Sequence, residues 1–138
     1  MTLVTKRIIN ELSYQIVGDA IEVNREIGPG LLESIYEECL IEEFKKRGIS
    51  YKQQMKLSVN YKGKKINKLY YLDLLVENLV IVELKVVNSI DDIFKAQLLS
   101  YMKLLKVPKG LLINFNTTNI TRSCVPMVNE YYAALKEY

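Results

Sequence analysis

Leu69-Tyr-Tyr-Leu-Asp-Leu-Leu-Val-Glu-Asn-Leu-Val-Ile-Val-Glu-Leu-Lys-Val-Val87 is the stretch that decides the fold, and its composition predicts two adjoining β-strands. From Val80 to Val87 every residue except Glu83 and Lys85 is aliphatic, which is typical of a central strand buried on both faces. Glu83 and Lys85 lie two residues apart and therefore share a face of the strand. Burying an acid and an amine costs desolvation energy that apolar side chains would avoid, so the pair needs an explanation.

Asp73, in the preceding strand, joins this pair only in one register. A two-residue loop at positions 77 and 78 would place Asp73 opposite Val82 and point it away from Glu83. A three-residue loop or a β-bulge would make Asp73 and Glu83 cross-strand neighbours, about 5 Å apart at Cβ. Asn78 tolerates positive φ, so the longer loop is plausible. A functional site therefore requires an odd loop or a bulge.

Two converging carboxylates without an imidazole or thiolate suit a hard cation with oxygen ligands, Mg²⁺ or Mn²⁺. The Lys85 amine beside them could position or deprotonate a water molecule, as in metal-assisted phosphodiester hydrolysis. The alternative is an ordinary ion pair between Glu83 and Lys85, with Asp73 unconnected to it. On these residues alone the ordinary ion pair is the favoured interpretation, because an acid two residues before a lysine is common by chance.

The composition describes one globular domain over residues 1–138, with 49% hydrophobic and 25% charged residues. A net charge of +3 permits contact with nucleic acid without requiring it. The chain has no histidine, which excludes Ser-His-Asp and Cys-His nucleophiles, His-ligated zinc and a histidine general base. Its two cysteines are far apart and predict neither a zinc site nor a disulfide. With no signal sequence or membrane span in sight, we expect a cytoplasmic protein that does not enter a membrane.

The remaining hydrophobic pattern predicts an α/β fold with a mixed central β-sheet flanked by helices. Strand, helix and strand in succession after residue 80 imply a right-handed crossover with parallel pairing. Ser89-x-x-Asp92 has the capping-box spacing and opens the crossover helix, while Val125-Pro126 opens a final helix. Besides the opening hairpin, the predicted helices cover residues 5–27, 31–46, 89–106 and 127–136, and the predicted strands cover residues 51–61 and 109–115.

Three further features have both a structural and a functional interpretation. Glu33 lies in the first turn of its helix, where it favours the helix dipole, but it also borders the apolar stripe and could reach a site over the sheet. Gln97 interrupts the buried stripe of the crossover helix. Because a buried amide needs hydrogen-bond partners, Gln97 is either a member of a structural hydrogen-bond network or a site residue. The densest basic patch includes three lysines at a hairpin turn, Lys62, Lys64 and Lys65. They either form a solvated strand edge that repels other edges or an arm that contacts phosphates.

These residues together resemble a known family. Gly30-Leu-Leu-Glu33-Ser-Ile-Tyr36 resembles the signature of the GxxExxY protein family, a branch of the PD-(D/E)XK nuclease superfamily. Asp73, Glu83-Leu-Lys85 and Gln97-Leu-Leu-Ser-Tyr101 follow in the order of that family.

The resemblance implies a restriction-endonuclease-like fold with an α-β-β-β-α-β core. It also implies that Asp73 and Glu83 are metal ligands and that Lys85 is the catalytic amine. Glu33 would be a further acid at the metal, and Gln97 and Tyr101 would orient the site or the nucleic acid from the crossover helix.

The chain departs from the family pattern at three positions near the expected site. Leu72 replaces the Pro before Asp73, and Tyr71 and Phe94 stand where family members often carry Arg and His. Loss of a cation near the scissile phosphate would weaken stabilisation of the transition state. We therefore predict a metal-dependent nuclease acting on nucleic acid, with DNA as first choice. The alternative is a weak or inactive nuclease-fold module that binds nucleic acid or a protein partner. A homodimer is also possible.

Overall fold

A computed structural model describes residues 3–138, except for the side chains of residues 67–69. Its elements confirm the predicted α/β class, with a mixed sheet between helices. In chain order they are α1 (Lys6–Ile27), α2 (Glu33–Arg47), β1 (Tyr51–Tyr61), β2 (Lys64–Val76), β3 (Val80–Lys85), α3 (Asp92–Leu105), β4 (Lys109–Asn114), a 3₁₀ helix (Ile120–Ser123), β5 (Cys124–Val128) and α4 (Glu130–Ala133).

The five strands form one sheet in the order β1-β2-β3-β4-β5. β2 pairs antiparallel with both β1 and β3. β4 pairs with β3 in parallel, and β5 pairs antiparallel with β4 at the other edge of the sheet. The parallel β3–β4 pair confirms the crossover predicted for α3. β3 is therefore the central strand, as its aliphatic composition predicts.

Two hydrophobic clusters cover the two faces of β3. On one face, α1 and α2 pack Ile16 and Leu40 against Val82. On the other, Leu98 of α3 packs against Ile81. Burial of apolar surface stabilises a fold by about 25 cal/mol per Å². The two clusters therefore hold β3 between two helical layers.

β1 and β2 extend well past β3 because β2 has 13 residues and pairs with β3 only near its C-terminal end. The free part of this hairpin, residues 55–72, is here called the hairpin arm. Lys62 and Gly63 form its turn with φ of 49° and 81°. Lys62, Lys64 and Lys65 are exposed at the tip, so their contact with nucleic acid stays a prediction.

The prediction of a final helix over residues 127–136 was wrong. Residues 124–128 form β5, in which Pro126 pairs with Leu111. Proline is tolerated there because β5 is an edge strand, whose outward side needs no N–H donor. Only a short α4 follows, and the Asn129 side chain caps it by accepting from the amides of Tyr131 and Tyr132.

The capping box predicted at Ser89 was also wrong. The N-cap of α3 is Asp91, and its side chain makes no capping hydrogen bond. In the part of the chain that the structure describes, no helix is both long enough and apolar enough to cross a bilayer. A cytoplasmic location stays a prediction.

Candidate active site

The connection between β2 and β3 has three residues, 77–79. Leu74 pairs with Val82, and continuing this register by one residue places Asp73 opposite Glu83. The odd loop that a functional site requires is therefore confirmed. A two-residue loop would have placed the two acids on opposite faces of the sheet.

Backbone conformation and one side-chain contact set the length of this loop. Glu77 and Asn78 both adopt positive φ, 53° and 57°. The Leu79 amide then donates to the Val76 carbonyl at 2.9 Å. The Glu77 carboxylate is held by Ser50, whose amide and hydroxyl each donate to it at 2.9 Å. Asn78 was the visible signal for this turn, whereas the Ser50 contact depends on the fold.

The regular pairing of β2 with β3 ends just before the two acids, and their side chains replace it. The Asp73 amide donates to Glu83 Oε1 at 2.9 Å, and the Leu84 amide donates to Asp73 Oδ2 at 2.8 Å. Both carboxylates are buried, with 8% and 7% of each residue exposed. Backbone amides therefore fix both side chains. Among the described residues Glu83 Oε2 makes no hydrogen bond and Asp73 Oδ1 accepts only from Gln54, so these two oxygens remain for a ligand.

Burial makes this acid pair electrostatically strained. Desolvation, followed by the negative charge of Asp73, raises the pKa of Glu83 to about 8. Desolvation also raises the pKa of Asp73, although the Leu84 amide opposes the shift. Two nearby buried carboxylates disfavour double ionisation. A cation between them would remove this penalty.

Lys85 lies in the field of these acids without forming an ion pair. Among the described residues it makes no salt bridge, and its Nζ atom lies 4.7 Å from the centre of the Phe94 ring. Its positive charge nevertheless lowers the pKa of Asp73 and Glu83, against the larger effect of burial. The alternative of a simple Glu83–Lys85 ion pair therefore loses its support.

Glu33 is brought to the same site by the start of α2. It is the first residue of that helix and is partly buried. Desolvation raises its pKa, and the negative charge of Asp73 raises it further, while Lys85 lowers it. Four predicted site residues, from α2, β2 and β3, thus share one electrostatic environment.

Tyr36 explains why Glu33 begins its helix at this place. The Tyr36 hydroxyl donates to the Gly28 carbonyl at 2.6 Å and accepts from the Leu31 amide at 3.1 Å. Its ring is fully buried and stacks on Phe115 with centroids 4.7 Å apart. The Gly-x-x-Glu-x-x-Tyr spacing is therefore a brace that ties the α1–α2 turn to the first turn of α2.

The sequence analysis missed two polar residues of this site, Glu37 and Gln54. Gln54 interrupts β1 with a φ of 50°, and its Nε2 atom donates to Glu37 Oε1 at 2.8 Å and to Asp73 Oδ1 at 3.3 Å. Desolvation raises the pKa of Glu37, which is buried. Glu37 lies four residues after Glu33 on one helix face, a spacing that could have revealed it. Nothing in the sequence around Gln54 indicates its left-handed conformation.

Tyr101 and Gln97 of α3 lie at the side of the acids. Desolvation raises the pKa of Tyr101, with further contributions from the charges of Glu83, Tyr70 and Asp73. Gln97 instead lines a neighbouring groove between α3 and the hairpin arm, together with Tyr101 and Tyr70. The three tip lysines lie outside this cluster.

The donor set fits a hard cation that keeps part of its water shell. Within residues 3–138 no group of three or more His, Cys, Asp or Glu side chains converges closely enough to hold a metal by itself. Mg²⁺ commonly binds through one or two carboxylates and completes its shell with water and phosphate oxygens. Asp73 and Glu83 supply such a pair.

A sequence model described as the PD-(D/E)XK nuclease superfamily matches residues 10–125. The chain belongs to this superfamily. The match covers both acids, Lys85 and all of α3, so the PD-(D/E)XK assignment rests on the part of the chain that builds the site. No curated protein and no solved structure matches the chain. The narrower assignment to the GxxExxY family stays a prediction. PD-(D/E)XK nucleases generally use divalent metal ions, which agrees with the oxygen donors found here.

Proposed function

We propose that residues 1–138 form a single nuclease-like domain that hydrolyses phosphodiester bonds of nucleic acid, with DNA as the first choice, using Mg²⁺ or Mn²⁺. The supporting observation is the buried, mutually repelling pair Asp73 and Glu83 with an amine in its field that makes no salt bridge among the described residues. A purely structural cluster would be expected to neutralise such acids with a direct ion pair.

Asp73 Oδ1 and Glu83 Oε2 would hold the cation. When bound, the cation supplies a Lewis acid and lowers the pKa of a bound water. The backbone amides of Asp73 and Leu84 keep the two carboxylates in place before the substrate arrives. This preorganisation means that little rearrangement is needed during the reaction.

Lys85 would position the attacking water and donate to a phosphate oxygen. An aromatic face attracts a cation, so the Phe94 ring, 4.7 Å from Nζ, helps to hold the Lys85 side chain in place. A fixed ammonium also supplies positive charge at a site where Tyr71 replaces the Arg of the resembling family. Glu33 would accept a hydrogen bond from metal-bound water, and Tyr101 would orient the strand.

Replacing Lys85 with Met tests this role because Met keeps most of the side-chain volume. We expect the variant to bind metal and nucleic acid but to cleave at least about 100-fold more slowly, the usual scale for losing one donor to the charge that develops in the transition state. Cleavage of labelled DNA and RNA should be measured with Mg²⁺, Mn²⁺ or EDTA, beside Lys103→Met, whose side chain is exposed on α3. Unchanged cleavage in a folded Lys85→Met protein would refute the assigned role.

Replacing Glu83 with Gln tests the metal site separately. Divalent cation should raise the melting temperature of the wild type by mass action, because only the folded state holds the acids together. The shift should vanish in Glu83→Gln and persist in Glu26→Gln, an exposed residue of α1. An equal shift in Glu83→Gln would place the cation elsewhere.

The second candidate is a nuclease-fold module that binds nucleic acid without cutting it. Tyr71 and Phe94 favour it, since they replace polar residues that the resembling family often carries. A metal-dependent thermal shift without cleavage of any DNA or RNA would select this candidate. A homodimer or protein partner stays a prediction.

A further inference from the structure

A groove of about 250 Å³ runs between the hairpin arm and α3. Its walls are aromatic and aliphatic. Tyr70 is 50% exposed, Ile93 59% and Leu104 44%, so large apolar surfaces face solvent here. Grooves lined by apolar and aromatic side chains with a few polar groups are typical of ligand sites.

Two tyrosines at this groove pack against each other as a tilted pair, and Tyr70 stays half exposed. The ring centres of Tyr70 and Tyr101 are 5.9 Å apart and their planes are tilted by 55°, so the rings do not cover each other face to face. Gln97 lies on the same wall and forms no hydrogen bond within the described part of the chain. An open aromatic face beside a free amide offers both stacking and hydrogen bonding to a nucleobase.

The groove continues directly from the candidate active site along α3. Phe94, under the Lys85 ammonium, marks the active-site end. Tyr101 is seven residues further along the helix, a distance of about 10 Å at 1.5 Å per residue. Tyr101 borders both regions. It lines the groove, and burial followed by the charges of neighbours that include Glu83 and Asp73 raises its pKa. A strand whose phosphate lies at Lys85 would therefore place a neighbouring nucleotide in the groove.

The charges nearby favour a base over a duplex backbone as the occupant. Among the side chains that the structure describes, the groove is lined by neutral residues such as Ala96, Gln97 and Ser100, and by no lysine or arginine. Binding of duplex DNA depends chiefly on Lys and Arg contacts to phosphates. The three lysines of the arm lie at its tip, where they could follow the backbone beyond the groove.

We infer that this groove binds an unpaired base, and that the preferred substrate is a nucleic-acid strand that is single-stranded beside the scissile phosphate. The inference rests on the proposed function and adds the substrate class. Tyr70 stacks on the base with its exposed face, Tyr101 packs against Tyr70, and Gln97 hydrogen-bonds the edge of the base. A paired base cannot enter the groove because its partner strand covers its edge.

The test compares Tyr70→Leu, Tyr70→Phe and Tyr71→Leu by fluorescence anisotropy in the Lys85→Met background with Mg²⁺. Tyr71 is the matched control, since it is 46% exposed, adjacent in sequence and outside the groove. The probes are one labelled oligonucleotide as a single strand, as a blunt duplex and as a duplex with a single-stranded tail.

We expect Tyr70→Leu to weaken binding of the single strand and the tailed duplex by about 5-fold to 150-fold, the loss of one base stack. Binding of the blunt duplex should not change, and Tyr70→Phe should bind like the parent. Equal losses on all three probes, or equal effects of Tyr70→Leu and Tyr71→Leu, would overturn the inference. Binding of no probe at all would also overturn it and would leave the groove to a peptide partner.

Cleavage by the otherwise wild-type chain separates this inference from the proposed function. Tyr70-dependent binding of single strands without cleavage by any metal would support the groove and refute the nuclease. Metal-dependent cleavage of blunt duplex that does not depend on Tyr70 would support the nuclease and refute the groove.

Discussion

Tyr36→Phe should separate the structural role of the Gly-x-x-Glu-x-x-Tyr segment from its role in cleavage. The substitution removes only the hydroxyl, because the fully buried ring can keep its stack on Phe115. Two hydrogen bonds are lost, one to the Gly28 carbonyl at 2.6 Å and one from the Leu31 amide at 3.1 Å. The backbone groups of the α1–α2 turn are then left without these partners.

The loss in the free energy of unfolding depends on how deeply the Gly28 carbonyl and the Leu31 amide are buried. An unsatisfied buried donor or acceptor costs about 1–3 kcal/mol. Both contacts are only partly buried, so water can replace some of each bond. We therefore expect a loss of about 1–3 kcal/mol in total for the free energy of unfolding. With a urea m-value of about 2 kcal/mol per M, the midpoint should fall by about 0.5–1.5 M.

Urea unfolding followed by circular dichroism measures this loss, and cleavage under fully folded conditions measures its effect on Glu33. Loosening the turn should lower cleavage beyond any change in folded fraction, because Glu33 begins the helix that the brace fixes. Tyr14→Phe is the control, since Tyr14 is 84% exposed. An unchanged midpoint for Tyr36→Phe would refute the brace.

Two further predictions follow from the electrostatics and the packing. Without metal, the folded pKa of Glu83 is about 8 against 4.5 for the unfolded chain, so the folded state binds the extra proton and its stability should fall as pH rises from about 4.5 to about 8. Urea midpoints in EDTA should show this slope, and Glu83→Gln should flatten it; an equal slope in both proteins would contradict the cause. Gly110→Ala should destabilise the fold by about 1–3 kcal/mol, because its Cβ would lie 2.8 Å from both Leu98 Cδ1 and Met102 Sδ, which are fully buried. Thermal unfolding measures this loss of stability. The control is Gly18→Ala in α1, where no atom lies within 4 Å of the added Cβ and a small gain in stability is expected. Equal effects of the two substitutions would contradict the packing argument.

The sequence predicts those parts of the fold that depend on local pattern. The aliphatic run of β3 specifies burial on both faces, and the odd spacing between Asp73 and Glu83 is readable once a function is assumed. Helical periodicity gave α1 to within one residue of its observed start at Lys6. These features share one cause, because each is set by the side chains of the element itself.

Other parts depend on neighbours that the sequence does not identify. Pro126 indicated the start of a helix, but an edge position beside β4 allows it in a strand. Gln54 lies opposite Asp73 in the β1–β2 register and also reaches Glu37 of α2, with a positive φ that no local signal demands. Tertiary contacts outweighed local propensity in both cases.

Asn114 shows how the scaffold and the site depend on each other at the end of β3. It pairs with Lys85 across the parallel ladder, and its side chain accepts from the Val87 amide at 3.2 Å and donates to the Val87 carbonyl at 2.9 Å. Asn116 donates to the same carbonyl at 3.1 Å. These bonds satisfy the backbone where the chain leaves the sheet, so β3 can end beside Lys85 without unpaired polar groups. Pairing of β2 with β3 also stops short of Glu83, so the amides of Asp73 and Leu84 bond to the two carboxylates instead of to the facing strand. An apolar residue at position 114 would leave the Val87 amide without its acceptor and would remove this support from the segment that follows Lys85.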